Sequence, residues 1–585
     1  MLITRFGGIK NDTPDKVTPP SYFRVMKNFN SDSITGFDQI TYPEQTVYVG
    51  GVGYGGIEYR YLDSDNVKQL EKLAIFGGSL YKDMLGTPTQ VISGLTEDQY
   101  SFTVFREELY MATAGQNVKV YNGVNNTVRD IGSPEAVVST TSGSPNGTYY
   151  YAITFITAGG EEVTGAIGNT ITTALKRVDL TIPIGYAGTT SRKIYRTVDG
   201  GTTLKLVDTI ADNTTLTYED NSTDASLTTT ISATSNPTPQ CRYITTSYSR
   251  LVATVCDLYP TQVFTSETNI RVIDSATFLD ISNMGDDNTG IVGGKKGYDK
   301  IYAWSELETY IVDLSGTVDR VLPLEVNVGL KSTYSPVSLP KDEGSESGVL
   351  FFSSDNTLRL ATGNFANKAN DSALDKIDAG NFGQNAQGTF LDLEDETLSK
   401  GIYYNYKYHL AFPERNLVVT YDIRTKTYHT EEELNVQSWV LYNKELYALT
   451  SDGYVEKWYE KSDYRGVYLG GLIESPSIFV NDKQKLMDTI NFWFQNDRRI
   501  EAEVTVIIED DYNNPVTGTI SSEQGDYNRS DYNSADYLVP DSEDDYRALH
   551  IDRYGRWLKY FIKPISGRLR MRSIDLKFIE VKGEE

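Results

Sequence analysis

Two distant segments of this chain share one strand–turn–strand pattern, and that pattern limits the fold more than any other feature. Glu108-Leu109-Tyr110 opens an apolar run that turns at Ala114-Gly115-Gln116-Asn117 and closes at Val118-Lys119-Val120-Tyr121. Glu445-Leu446-Tyr447 opens a second run that turns at Ser451-Asp452-Gly453 and closes at Tyr454-Val455-Glu456-Lys457-Trp458. The interval from Leu109 to Tyr121 equals that from Leu446 to Trp458. Two strands joined by a small-residue turn form the inner unit of a propeller blade, and one blade cannot bury both of its faces alone. Sequence of a different β texture separates the two copies. The reading is therefore all-β: a β-propeller with an inserted fibronectin/immunoglobulin-like β-sandwich and a C-terminal β-rich domain.

Length and composition agree with this reading. A chain of 585 residues holds several domains, because single cores stop growing near about 250–300 residues. Its 42 Tyr against 7 Met suit pleated surfaces, and 48 Gly with 19 Pro supply turns. A helical period is only weakly present, at 67–76 and 100–110. The formal net charge of −26 excludes a protein that coats nucleic acid from outside, since its mean field repels phosphate. It fits a solubility surface or an acidic lumen past which a polyanion slides. Cys241 and Cys256 are too few for a disulfide framework and are expected as buried free thiols made in a reducing cytosol. No apolar run reaches membrane-spanning length, and Met1-Leu-Ile-Thr-Arg-Phe-Gly-Gly lacks a signal-peptide core. The expectation is folding in a cytoplasm, with exit by lysis or within a particle.

Along the chain, 1–50 reads as an irregular N-terminal arm because Pro14, Pro19, Pro20 and Pro43 interrupt it. Strand pairs begin at 51–133, the first part of the propeller. From 134 to 237 the texture becomes Thr, Ser and Gly-rich, with short strands at even spacing, as in a sandwich. Propeller texture resumes over 238–469, giving roughly six to eight blades in all. The remainder, 470–585, is a C-terminal β-rich domain carrying an acidic, tyrosine-rich loop at 510–547.

Motifs for chemistry are weak. Gly50-Gly51-Val-Gly53-Tyr-Gly55-Gly56 lacks the following helix and the Lys-Ser/Thr of a phosphate loop, and reads as a turn. His409, His429 and His550 have no ligand spacing, and no Gly-x-Ser-x-Gly elbow is present. Paired carboxylates around a propeller channel would suit a glycosidase, but with 80 acidic residues some pair always fits. No catalytic residue, metal or cofactor is assigned, and the chain reads as a non-enzyme. Asp-Tyr recurs at 511, 526, 531, 536 and 545. This stretch is a solvated loop, with Asp510, Asp511, Asn513 and Asn514 as a weaker calcium alternative and Tyr527, Tyr532 and Tyr537 as candidate contacts of a distal tip. Arg568, Arg570 and Arg572 alternate along a strand and are candidates for a subunit interface or channel lining.

The order of these features resembles the tail nozzle proteins of short-tailed bacteriophages, the tail tubular protein B group and the packaged-DNA stabilisation hubs. The match begins at Phe6-Gly-Gly-Ile-Lys-Asn-Asp-Thr-Pro14 and Pro19-Pro-Ser-Tyr-Phe-Arg-Val-Met-Lys-Asn28. It is strongest through Ser249-Arg-Leu-Val-Ala253, Val263-Phe-Thr-Ser266, Phe278-Leu-Asp-Ile281, Asp299-Lys-Ile-Tyr-Ala303, Gly329-Leu-Lys-Ser-Thr-Tyr-Ser-Pro336 and Gly348-Val-Leu-Phe-Phe352. Tyr421-Asp-Ile-Arg-Thr-Lys-Thr-Tyr428 resembles a blade-closing turn of that group, and Arg192-Lys-Ile-Tyr-Arg196 with Asp199-Gly-Gly201 resembles sandwich modules of virion proteins. The resemblance implies a homohexameric ring in a virion tail, assembled in the host cytoplasm, that extends the DNA channel, retains packaged DNA and releases it. Implied partners are a tail adaptor or portal-proximal ring, tail fibres or spikes, duplex DNA passing non-specifically, and a host cell surface. The alternative is a receptor- or glycan-binding tail spike or adhesin module, with a propeller glycosidase behind it.

Overall fold

In a computed structural model the chain is described from residue 41 to 579 apart from short internal segments, the longest being 362–397, 462–470 and 523–543, together with 2–3, 19, 23–30 and 37–39. The described residues form strands joined by turns and two short 3-10 turns, with no α-helix. The segments with a weak helical period are strands, Lys68–Phe76 and Ser101–Phe105 with Glu108–Ala112.

Among the described residues, seven antiparallel blades follow one another around an axis. Their innermost strands are Gly53–Leu62, Ser101–Phe105, Cys241–Ser247, Gly293–Lys296, Val337–Ser338, Lys400–Tyr404 and Ser438–Tyr442. Blades 1 to 4 and 6 each take four consecutive strands, and blade 5 shows three. Blade 7 is closed from the other end of the chain: Tyr42–Tyr48 pairs with Tyr454–Lys461 as its outermost strand. The ring is thus latched by main-chain hydrogen bonds between residues about 400 positions apart, of the kind that hold any antiparallel ladder.

The repeat seen in the sequence is the second and third strands of blades 2 and 7. Tyr110 pairs with Val120 and Met111 with Lys119, as Tyr447 pairs with Lys457 and Ala448 with Glu456. In both copies the tyrosine hydroxyl donates to the glutamate two residues earlier, at 3.4 Å for Tyr110–Glu108 and 3.3 Å for Tyr447–Glu445. Side chains alternate across a strand, so one face of Glu108–Ala112 serves each neighbouring blade. Leu109 and Met111 pack with Tyr59, Leu73 and Ile75 of blade 1. Tyr110 and Ala112 pack with Ile244, Leu251 and Phe264 of blade 3. Similar clusters fill the spaces between the other consecutive blades, with the one between blades 7 and 1 joining Val440, Tyr442 and Leu449 to Ala74 and Phe76. Burial on both faces explains why these strands read as continuous apolar runs. Each fully buried large apolar side chain contributes about 1.5–3 kcal/mol.

The inserted domain spans the link between the outer strand of blade 2 and the inner strand of blade 3. It is a two-sheet sandwich. One sheet orders Glu135–Tyr149, Ile171–Thr181 and Thr217–Asp220. The other orders Lys205–Ile210, Ser191–Arg196, Tyr151–Thr157, Gly160–Val163 and Thr234–Ser235. Val272 of the propeller joins the sandwich core, and Glu267 accepts the Ala187 amide at 2.7 Å.

The N-terminal segment is not irregular where it is described. Val25–Lys27 lies between the outer strand of blade 6 and Leu472–Glu474, so blade 6 continues into the sheet that carries Trp557–Ser566, Ile500–Ile508 and Val516–Ser522. Phe23, Met26 and Phe29 are fully buried in a core shared with Met487, Val504 and Ile562. The terminal sheet places Arg570–Ile579 between Lys485–Gln495 on one side and Phe37–Gln39 with Leu2–Ile3 on the other. The expected long loop at 510–547 holds strands at both ends, Val516–Ser522 and Asp544–Gly555.

Cys241 and Cys256 are not free thiols. They are directly opposite partners on adjacent strands of blade 3, with Cα atoms 4.0 Å apart, and are joined as a disulfide. Spacing along the chain does not reveal such a pair; the register of the hairpin creates it.

Candidate functional site

All seven innermost strands, or the residues leading into them, face one axial cavity of about 580 Å³. Its wall comes from 55–57 of blade 1, 99–102 of blade 2, Tyr243 and Thr245 of blade 3, 294–297 of blade 4, Thr333, Tyr334 and 336–338 of blade 5, 400–402 of blade 6, and Ser438 and Trp439 of blade 7. Hydrogen bonds tie each blade to the next around this wall. The Tyr100 amide donates to Tyr54 O at 2.9 Å, Ser101 Oγ to Arg242 O at 3.0 Å, and the Lys296 amide to Tyr243 Oη at 3.1 Å. Ser338 Oγ donates to Lys296 O, the Gly401 amide to Tyr334 O at 3.0 Å, and Trp439 Nε1 to Lys400 O at 3.0 Å. Tyr442 Oη completes the circuit by donating to Leu73 O at 2.7 Å.

Close approach at the axis explains the glycines. A Cβ on Gly401 would lie 2.2 Å from Ser335 O, and one on Gly56 would lie 2.8 Å from Leu73 O. The cluster at Gly50–Gly56 is thus only partly a turn. Gly50 and Gly51 have positive φ and precede the strand, whereas Gly53, Gly55 (also at positive φ) and Gly56 belong to the inner strand of blade 1.

One end of the cavity is bridged by side chains. Tyr334 Oη donates to Gln99 O at 3.2 Å, and Gln99 Nε2 donates to Ser438 Oγ at 2.8 Å, linking blades 5, 2 and 7. Lys400 Nζ sits 3.9 Å from the centre of the Tyr334 ring, a cation–π contact, and only 8% of Lys400 is exposed. Burial drives its ammonium down to about 7, with Asp98 only partly opposing the shift. Burial also lowers the Lys295 ammonium and raises the Tyr334 hydroxyl. Lys296 lines both this cavity and a second hollow of about 330 Å³ beside 104–106 and 246–249. Among the described wall residues there are three lysines and no carboxylate.

Other sequence-derived candidates are placed as follows. Tyr527, Tyr532, Tyr537 and Arg568 lie outside the described residues. Arg570 and Arg572 lie on the Arg570–Ile579 strand at backbone positions flanking Met571, far along the chain from the axial strands. Asp511 caps its own turn, accepting the Asn513 amide at 3.2 Å and Asn514 Nδ2 at 2.9 Å. Among the described residues no group of three or more His, Cys, Asp or Glu is placed to hold a metal.

Sequence spacing missed one convergence. His409, Thr420 and His429 are cross-strand neighbours in blade 6. Thr420 Oγ1 lies 2.9 Å from His409 Nδ1 and donates to Glu431 Oε1 at 2.8 Å, while His429 Nε2 lies 3.3 Å from the same oxygen. Burial works against ionisation of Glu431, yet the His429 and Thr420 contacts keep its carboxyl below the ordinary range. All four side chains are buried, so this is an internal network rather than an open site.

No protein-family model matches the chain, and no curated protein matches it. Similar solved structures include BamB from Moraxella catarrhalis, with a TM-score of 0.30 at 12% identity, covering 72% of this chain and 99% of that one. The computationally designed Ika8 protein gives 0.29 at 8% identity, covering 71% and 100%. An exo-beta-1,3-galactanase from Phanerochaete chrysosporium, solved with galactose, gives 0.22 at 8%, covering 57% and 95%. At such scores none of them carries an argument about this chain's chemistry.

Proposed function

We propose that the chain is a structural virion protein, the distal nozzle of a short-tailed phage tail, acting as a ring of six copies around the exiting DNA. The observation that supports this most is the way the two ends of the chain are built together. The N-terminal segment runs between blade 6 and the C-terminal sheet, and it also supplies the closing strand of blade 7. Each copy is then a propeller continuous with a second β-module, a block suited to repeating around an axis. The resemblance of its succession of motifs to nozzle proteins suggests the family, and the −26 net charge gives a surface that repels duplex DNA without holding it.

In this reading the DNA path runs between subunits. A cavity of about 580 Å³ bridged by Tyr334 and Gln99 has no room for a duplex. A closed ring needs two different complementary patches per copy. Both edges of the Arg570–Ile579 strand are already paired within the chain, so contacts there would use a face and not an added strand. The partners are other copies of this chain, an adaptor ring above, and fibres or spikes at the side. Native mass measurement with electron microscopy of the purified chain, alone and with the adaptor ring, tests the proposal. Six copies around an open lumen are expected. A monomer under both conditions, with saturable capture of surface glycans, would favour the adhesin reading instead.

A further inference from the structure

We infer that the axial cavity of the propeller binds a small carboxylate-bearing molecule, paired with the ammonium group of Lys400 on a wall that also carries Lys295 and Lys296. The first reason is that, among the described residues, neither Lys295 nor Lys400 has a carboxylate at ion-pairing distance. Elsewhere in the fold lysines meet acids: Lys119 with Asp130, Lys193 with Glu161, Lys457 with Glu445, and Lys559 with Glu474. The chain carries 80 acidic against 54 basic residues, so acids are not scarce. Yet among the described residues the cavity wall holds none. A buried charge is expensive without a partner, and an anion in the cavity would supply one.

The second reason is size and wall chemistry. The volume lies within the roughly 300–1,000 Å³ of small-molecule sites. Tyr334 and Trp439 contribute ring surface, and Thr245 and Thr333 contribute hydroxyls. The bridge at one end and the acidic protein surface both exclude a long polyanion. Among the described residues the wall has no guanidinium and the fold no α-helix, the two devices that most often cradle phosphate. A carboxylate, with one negative charge, asks for no more than the ammonium of Lys400 supplies.

The charge state gives this binding a signature. Lys400 is near half-charged at neutral pH because burial outweighs the attraction of Asp98. The other titratable groups facing this end are Asp98 itself, the neutral Tyr334 hydroxyl, and the Arg242–Asp257 pair beside Tyr334. A bound carboxylate favours the ammonium form, so binding above neutrality takes up a proton and tightens as pH falls.

Isothermal titration of the full chain with acetate, glucuronate, glucose and inorganic phosphate is the test. Saturable one-site binding of acetate or glucuronate is expected, with no binding of glucose and weaker binding of phosphate. The heat at pH 7.5 should depend on the buffer's ionisation enthalpy. Lys400→Gln and Lys295→Gln should each weaken binding about tenfold or more. Should either variant fail to fold, ¹³C-methyl labelling of the wild-type lysines reads the same contact, and the Lys400 signal should move with glucuronate. No saturable binding of either carboxylate, glucose or phosphate binding as well as the carboxylates, or carboxylate binding unchanged in both variants would overturn the assignment.

Discussion

Arg196 in the inserted sandwich and Lys400 in the propeller are both buried cations, and the fold treats them in opposite ways. Arg196 is fully buried and is surrounded by partners. Its Nη1 pairs with the fully buried Asp220 at 2.7 Å, its Nη2 with Asp224 at 2.8 Å, and its guanidinium lies 4.4 Å from the centre of the Tyr149 ring. Tyr151 Oη donates to the same Asp220 at 2.8 Å. Asp220 belongs to the three-strand sheet and Arg196 to the five-strand sheet, so the pair clamps the sandwich across its core. Lys400 has an aromatic face and no acid within pairing distance among the described residues. A buried cation with its partners built in holds a structure together. One without them weakens the structure and leaves a place for something else.

Three substitutions sharpen this contrast, and the largest effect belongs to the clamp. Asp220→Ala leaves Arg196 buried and unpaired, and should destabilise the sandwich by about 3–5 kcal/mol. Denaturant unfolding followed by a probe in the sandwich checks it, and a loss below about 1 kcal/mol would remove the clamp from the description. Gly401→Ala tests the axial packing. Its methyl would meet Ser335 O where blades 5 and 6 join, and a loss of about 1–3 kcal/mol is expected by thermal unfolding. Unchanged stability would mean that the inner strands are looser than their glycines indicate.

Lys400→Met addresses the unpartnered cation. In the folded chain Lys400 loses its proton near 7, and in the unfolded chain near about 10.4. Between those values the unfolded state binds more protons, so raising the pH stabilises the fold. The penalty is complete below about 7 and gone above about 10.4. Wild type should therefore gain up to about 1.4 kcal/mol per pH unit across this window relative to Lys400→Met. Parallel pH profiles for the two proteins would contradict the burial of an uncompensated charge.

The blades were legible because each apolar run packs on both faces and is followed by a turn. The pairs 73–76 with 79–81, 349–352 with 358–360, and 408–412 with 416–421 are all adjacent strands. The closing strand of blade 7 was not legible because of Pro43, which lacks an amide donor. As an outermost strand it tolerates proline, and Pro43 falls in the irregular stretch of the register between Lys457 and Lys461. Strands of two or three residues, such as Val25–Lys27 and Phe29–Asn30, carry no period to read, and the partners of Val25–Lys27 lie hundreds of residues away. The axial lysines were hidden for a related reason. Gly293-Gly294-Lys295-Lys296-Gly297 has the composition of a solvated turn, and only closure of the ring makes it a wall. The disulfide and the His409–Glu431–His429 network depend on register in the same way.

The most direct measurement is a titration of Lys400 itself, by ¹³C-methyl NMR on the reductively methylated protein, with Lys400→Met identifying its signal. In the absence of added anions the ε-amine should titrate near 7, and added glucuronate should move it upward. An ε-amine titrating near about 10.4 with and without glucuronate would mean that the axial cation is solvated or paired, and the contrast between the two buried cations would not hold.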